Sequence, residues 1–181
     1  MLMIVVPGVE GWDEAKEEFV TAKPPVTLQL EHSLISLSKW ESKWEKPFLS
    51  KDRKTREETL DYIRCMNLNP GTPIDVYQRL SSANLKAINQ YIDASCTATT
   101  IHESGHSAKS SEGITSELIY YWMVALNIPF ECQKWHLNRL LTLIRVCNIK
   151  NQPPKKQSKR ATMRQNSALN AARRRQARSK G

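Results

Sequence analysis

The stretch ITSELIYYWMVALNIPFECQKWHLNRLLTLIRVCNIK, residues 114–150, decides the fold. Its first part, 114–130, is apolar nearly all round and begins with Thr115 as a favourable N-cap, which predicts a helix buried at the centre of the domain. Its second part, 131–150, carries a broad apolar stripe at helical spacing and predicts a second long helix. Because the connection is so short, we expect the two helices to pack as a hairpin.

The segments before residue 114 predict further helices. Apolar residues recur at helical spacing in three of them, and Thr55 and Glu58 have the spacing of a capping box before one of these helices. A charged face over residues 12–20 predicts one more short helix. The three periodic segments are 34–48, 54–66 and 81–93.

Two stretches near the N-terminus favour extended structure instead. The apolar start MLMIVV ends at Pro7-Gly8 and predicts a short strand. Val26, Leu28 and Leu30 alternate with polar residues, which is the pattern of a second extended segment. The predicted fold class is therefore mainly α: a small helical domain with a short N-terminal β element and a basic C-terminal tail.

Charge divides the chain into a neutral body and a basic tail. Residues 151–181 hold ten Lys or Arg and no Asp or Glu, whereas residues 1–150 hold 17 basic and 18 acidic side chains. The tail has only Met163 and Leu169 as large apolar anchors, so it cannot bury enough surface to fold alone. We therefore expect a helical globular domain over 1–150 and a basic, flexible or partner-ordered tail over 151–181. Such a tail would contact nucleic acid only non-specifically, through phosphates.

Membrane insertion and disulfide bonds are not indicated. The longest apolar run, 118–126, has nine residues, whereas a membrane-spanning helix needs about 20. The N-terminus lacks the basic region of a signal peptide. The four cysteines show no CxxC pairing, which favours reduced thiols in a cytosolic protein.

One motif suggests an enzyme. His102, Glu103 and His106 spell HExxH, the signature in which two imidazoles share a zinc ion and the glutamate acts as general base. The motif requires a stable helix, but its surroundings over residues 97–113 are rich in Ser, Thr and Gly and predict a loop. We therefore expect a non-enzymatic protein without catalytic residues, metal or cofactor, and a zinc peptidase remains the hypothesis to exclude.

A family resemblance rests on three segments. They are LEHSLISLSKWESKWEKPFLS at 30–50, ITSELIYYWMVALNIPFECQKWHLNRLLTLIRVCNIKN at 114–151 and PPKKQSKRATMRQNSALNAARRR at 153–175. Through them the chain resembles the tail assembly chaperones of siphophage-type tailed bacteriophages, over roughly residues 28–178. The resemblance implies a protein of the host cytoplasm that binds the tape measure protein and recruits the major tail protein during virion assembly.

Partner contact is predicted for aromatic and cationic side chains. The predicted residues are Trp40, Trp44, Trp135, Arg139, Arg173, Arg174 and Arg175. The alternative for the tryptophans is a place in the core, because their side chains bury large areas. The alternative for the arginines is that they are only solvated charges on the surface. Self-association stays open. Two other functions also stay open: a structural head–tail joining protein, and a phage protein whose basic tail contacts nucleic acid.

Overall fold

The computed structural model describes residues 1–14, 17–101, 113–151 and 159–177. The chain divides into two compact units, Met1–Asn148 and Ile149–Gly181. The described residues form seven α-helices, one 3-10 helix and four short strands, so the predicted mainly α class is confirmed.

The elements follow one another from strands to helices. The strands are β1 (Leu2–Val6), β2 (Val9–Asp13), β3 (Glu18–Lys23) and β4 (Val26–Leu30). The helices are α1 (Leu34–Trp44), α2 (Arg56–Met66), α3 (Ile74–Gln78), α4 (Ser82–Asp93), α5 (Ser116–Ala125), α6 (Leu137–Asn151) and α7 (Lys159–Gln176). The 3-10 helix, Phe130–Lys134, lies between α5 and α6.

The four strands form two antiparallel pairs along one folded-back segment. β1 pairs with β4, from Leu2 opposite Leu30 to Val6 opposite Val26, and β2 pairs with β3. The chain passes from the first pair to the second at Gly8, where a Cβ atom would lie only 2.7 Å from the carbonyl oxygen of Lys23 and therefore could not fit.

The helix predicted over residues 12–20 is wrong, because residues 12–13 belong to β2 and residues 18–20 belong to β3. Trp12 lies opposite Phe19 across the two strands, and their rings are in contact. Aromatic residues pack well across neighbouring strands, so this pairing outweighs the weak helical preference of the charged residues between them.

The core of the first unit lies between the inner face of the β1–β4 pair and the helices. α1 contacts α2, α5 and the 3-10 helix, so it is the central helix of the unit. The buried apolar side chains that meet there include Val6, Leu28, Leu30, Leu34, Leu37, Trp40, Ile63, Met66, Ile119, Met123, Leu137 and Leu140. Complete burial of one such side chain contributes about 1.5–3 kcal/mol, which makes this cluster the main source of stability.

Two predicted helix starts are confirmed in atomic detail. The Thr55 hydroxyl accepts a hydrogen bond from the Glu58 N–H, and the Glu58 carboxylate accepts one from the Thr55 N–H, which completes the capping box. The Thr115 hydroxyl accepts from the Leu118 N–H at the start of α5.

The predicted course of residues 114–150 needs three corrections. The expected hairpin is wrong, because α5 packs mainly on α1 and not on α6. α6 begins at Leu137 rather than at 131, because Asn127 turns the chain with a positive φ of 52° and the next residues form the 3-10 helix. The expected burial of α5 on all sides is also wrong. Ile119 and Met123 are buried, but Tyr121 and Val124 on the opposite side are exposed to solvent.

The second unit contains α7. All of its side chains that the structure describes are exposed, including Met163 and Leu169, the two large apolar residues of the basic segment.

Candidate partner-binding surfaces

The structure places Trp40 in the core of the first unit, where it is 1% exposed. Its indole Nε1 donates a 2.9 Å hydrogen bond to the carbonyl oxygen of Glu58. Its ring packs against Trp44, Phe48 and Tyr62, with centroids 5.1 to 6.5 Å away. Trp40 therefore joins α1 to α2, and its side chain does not face a partner in this conformation.

Trp44 is half-buried and lines a shallow groove at the end of α1. Its Nε1 donates a 2.9 Å hydrogen bond to Asp61, whose other carboxylate oxygen pairs with Lys43 at 2.6 Å. The exposed side chain of Ile74 also borders the groove. Trp44 is thus partly open to solvent in a groove that is also lined by charged residues.

Trp135 and Arg139 form a cation–π pair at the start of α6. The guanidinium carbon of Arg139 lies 4.3 Å from the centroid of the Trp135 ring. Trp135 is half-buried and Arg139 is exposed. Because a stacked guanidinium keeps N–H donors at its edge, Arg139 can still meet a carboxylate of a partner.

The chain around this pair is held from two sides. The Leu137 N–H donates a 2.7 Å hydrogen bond to the carbonyl of His32, ahead of α1. The Asn138 amide donates to the carbonyls of Ile92 and Ala94, at the end of α4, at 2.9 Å each. These bonds fix the first turn of α6 and hence the orientation of Trp135 and Arg139, two residues that the sequence already indicated.

Arg173, Arg174 and Arg175 lie in the last turn of α7, and all three are exposed. Positive charge at a helix C-terminus interacts favourably with the helix dipole. The exposed arginines are available to a partner that carries negative charge.

The α5 surface, which we define as the exposed side chains of Tyr121 and Val124, is a candidate that the sequence did not indicate. The two residues are one helical turn apart and are 65% and 60% exposed. Ala125 is exposed beside them, and Leu118 is half-buried. A surface helix normally presents polar residues to solvent, so these two exposed side chains make α5 a candidate contact surface.

Phe130 extends the apolar character beyond α5. Its side chain is 53% exposed, and its ring centroid lies 6.4 Å from that of Tyr120. The Tyr120 hydroxyl donates a 2.9 Å hydrogen bond to Gln133, which ties α5 to the 3-10 helix. The nearly continuous run of apolar residues in 114–130 predicts a packing surface here, but not which side of the helix stays exposed.

A polar cluster inside the first unit contains His32 and His136. Nδ1 of His32 lies 2.6 Å from the Tyr62 hydroxyl, and Nε2 of His136 lies 2.9 Å from the carbonyl oxygen of Tyr91. Burial, together with the neighbouring His136, lowers the pKa of His32 to about 3. The imidazole is therefore neutral near pH 7, and each ring serves packing and hydrogen bonding in the interior.

The HExxH stretch, His102–His106, lies outside the described residues. Within the ranges that the structure describes, no group of three or more His, Cys, Asp or Glu residues is placed to hold a metal ion. The cysteines are free thiols, and burial raises the pKa of Cys65 and of Cys132. No helix in the same ranges is long and apolar enough to cross a membrane.

The structure is that of a mainly α protein with exposed apolar and cationic side chains. Comparison with protein-family models, with curated proteins and with solved structures finds no match to the chain.

Proposed function

We propose that this protein is a non-enzymatic tail assembly chaperone of a siphophage-type tailed bacteriophage. It binds the tape measure protein in the host cytoplasm and recruits subunits of the tail tube, the major tail protein, during virion assembly. The proposal rests on the sequence resemblance of residues 30–50, 114–151 and 153–175, and the α5 surface supports it on physical grounds.

The structural observation that best supports the proposal is the α5 surface. Tyr121 and Val124 expose 65% and 60% of their surfaces, although they lie on a helix whose other side is in the core. A tape measure protein is long and helical, and it presents apolar stripes until the tail tube surrounds it. An exposed apolar helix face can cover such a stripe by helix-to-helix packing.

Cationic and aromatic residues on other surfaces of the chain would add selectivity. Arg139, stacked on Trp135, offers N–H donors to acidic side chains of the tape measure protein. Trp44 offers an apolar contact in its groove. Arg173, Arg174 and Arg175 provide a second set of charges for tail tube subunits. Trp40 would act indirectly, by holding α1 in place.

The direct test is co-expression with the tape measure protein of the same phage. We expect this chain to raise the soluble yield of the tape measure protein and to co-purify with it through an affinity tag. An unrelated helical protein of similar size, expressed at the same level, serves as the control for a general effect of co-expression. Unchanged solubility together with a lack of co-purification would refute the proposal.

The exposed basic helix α7 favours a second candidate, a structural head–tail joining protein with its C-terminal residues close to DNA. Mass spectrometry of purified virions separates the two functions. A joining protein is present in fixed stoichiometry in every particle, whereas an assembly chaperone is released before the particle is complete. Detection in stoichiometric amounts would support the joining protein and refute the chaperone.

A further inference from the structure

We define the acidic arm as residues 9–23, which include the paired strands β2 and β3. The two strands pair with each other, and none of the described side chains of the arm belongs to the core or packs against it. Val20 is half-buried, and the other side chains that the structure describes are exposed. A two-stranded ribbon with so little support has marginal stability by itself. Contact with a partner would therefore stabilise it.

Two large aromatic side chains lie on one face of the arm. Trp12 and Phe19 are 54% and 71% exposed, and their ring centroids are 5.1 Å apart in an edge-to-face arrangement. The cross-strand pair contributes about 0.2–1 kcal/mol to the arm itself. It still leaves ring surface in contact with water, and the face of an aromatic ring attracts a Lys or Arg cation.

The charge of the arm also favours contact with Lys or Arg. Residues 9–23 contain five acidic side chains and two basic ones. One of the basic residues, Lys23, is already paired with Asp75 at 2.7 Å, near the base of the arm. In the described part of the chain, Glu10, Glu14, Glu17 and Glu18 form no ion pair. Aromatic faces surrounded by carboxylates fit a segment rich in arginine or lysine.

We propose that the acidic arm binds the C-terminal basic segment, residues 151–181, of a second copy of this chain. That segment holds ten Lys or Arg and no acidic residue, and the side chains of α7 that the structure describes are exposed. Its charge is complementary to that of the arm. An arginine of the second copy stacks on the exposed Trp12 ring, in the manner in which Arg139 stacks on Trp135 within this chain.

This contact joins two different surfaces, so each copy contributes one arm and one basic segment. Two copies can engage reciprocally and form a closed dimer, and further copies can extend the assembly head to tail. The attraction is between exposed charges, and dissolved salt therefore weakens it. The inference does not depend on the proposed function, since it concerns how the chain recognises itself.

The test is the molar mass of the full-length chain, measured by sedimentation velocity over a range of concentrations. We expect association at about 0.1 M salt, where charges act over about 10 Å, and dissociation at about 1 M salt, where they act over about 3 Å. The arm variant Glu10→Lys/Glu14→Lys/Glu18→Lys and the tail variant Arg173→Glu/Arg174→Glu/Arg175→Glu should each weaken association by about tenfold or more at the lower salt concentration.

The combination of both variants should remain dissociated, because its arm then holds five basic and two acidic side chains while its basic segment still holds seven Lys or Arg against three Glu. A control variant, Asp52→Lys/Glu57→Lys/Glu131→Lys, reverses three exposed carboxylates outside the arm and should leave association intact. Unchanged thermal unfolding of the core confirms that each variant is folded. The proposal is overturned if the chain is monomeric at every protein concentration at the lower salt concentration. It is also overturned if either single variant leaves association unaffected, or if the combined variant associates as strongly as the unchanged chain.

Discussion

His32 and His136 lie side by side in the interior of the first unit, with ring centroids 5.1 Å apart. They are 2% and 7% exposed. His32 precedes α1 and His136 precedes α6, and the backbones of residues 33 and 136 form an isolated β-bridge between these two helix starts. Two helices of the core are therefore joined through a pair of imidazoles, one of which cannot accept a proton without a large cost.

The first prediction concerns stability in mild acid. The pKa of His32 falls from 6.5 to about 3 on folding, mainly because the ring is buried. Between these values the unfolded chain binds a proton that the folded protein does not bind. The free energy of unfolding should therefore decrease as the pH falls below 6.5, by up to about 1.4 kcal/mol per pH unit. Urea unfolding at pH 7 and at pH 5 measures the loss.

The variant His32→Asn places an amide near the position of Nδ1 and cannot be protonated. We expect it to be less stable at pH 7 but to lose less stability between pH 7 and pH 5. Tyr62→Phe is the matched control, because it removes the hydroxyl that lies 2.6 Å from Nδ1 and leaves the imidazole in place. An equally steep pH dependence in His32→Asn would show that other groups control the acid response.

Local signals explain why the helices could be predicted. Thr55 with Glu58, and Thr115 with Leu118, act within one helical turn, so the starts of α2 and α5 are encoded in adjacent residues. The pair of His32 and His136 could not be found in this way. The two residues are far apart in the sequence, and only the packing of the folded chain brings them together.

The acidic arm and the α5 surface were missed for a related reason. The pairing of Trp12 with Phe19 depends on the strand register, whereas the charged residues between them suit a helix when considered alone. In α5 an all-apolar pattern shows that the helix packs against something, but it does not show which side lacks a neighbour. The exposure of Tyr121 follows from the number of elements that surround the helix in the fold.

The second prediction concerns the capping box of α2. Thr55→Ala removes the hydroxyl that accepts from the Glu58 N–H, and it should lower the free energy of unfolding by about 0.5–2 kcal/mol. Thr59→Ala, on the same helix, is the control. Its hydroxyl bonds to a carbonyl of the helix itself, and alanine is a better helix former, so the change should be small. Chemical unfolding of both variants measures the difference. Equal losses would contradict a specific role for the cap.

The third prediction separates a core role of Trp40 from direct partner contact. Trp40→Phe keeps an aromatic ring but removes the N–H that donates to the Glu58 carbonyl, and should cost about 1–3 kcal/mol of folding free energy. Trp44→Phe should cost less, because its partner Asp61 retains the ion pair with Lys43. A stable Trp40→Phe protein that has lost capture of the tape measure protein would show that Trp40 itself contacts the partner.

The last prediction concerns the α5 surface. Tyr121→Ser and Val124→Ser change side chains that are 65% and 60% exposed. Surface changes of this kind usually alter the free energy of unfolding by less than about 0.5 kcal/mol. If the α5 surface covers an apolar stripe of the tape measure protein, the double variant should keep its stability and lose most of its ability to solubilise that protein. The soluble fraction of the co-expressed tape measure protein, determined by gel densitometry, measures this loss.

Leu68→Ser is the matched control for this experiment. Leu68 is 55% exposed and lies in the connection after α2, away from the residues of α5 in the sequence. Removing it reduces exposed apolar area elsewhere on the chain but leaves the α5 surface intact, so solubilisation should continue. Equal loss in the control and in the double variant would mean that general surface hydrophobicity supports solubilisation. Full activity of the double variant would exclude α5 as the contact and direct attention to the Trp44 groove.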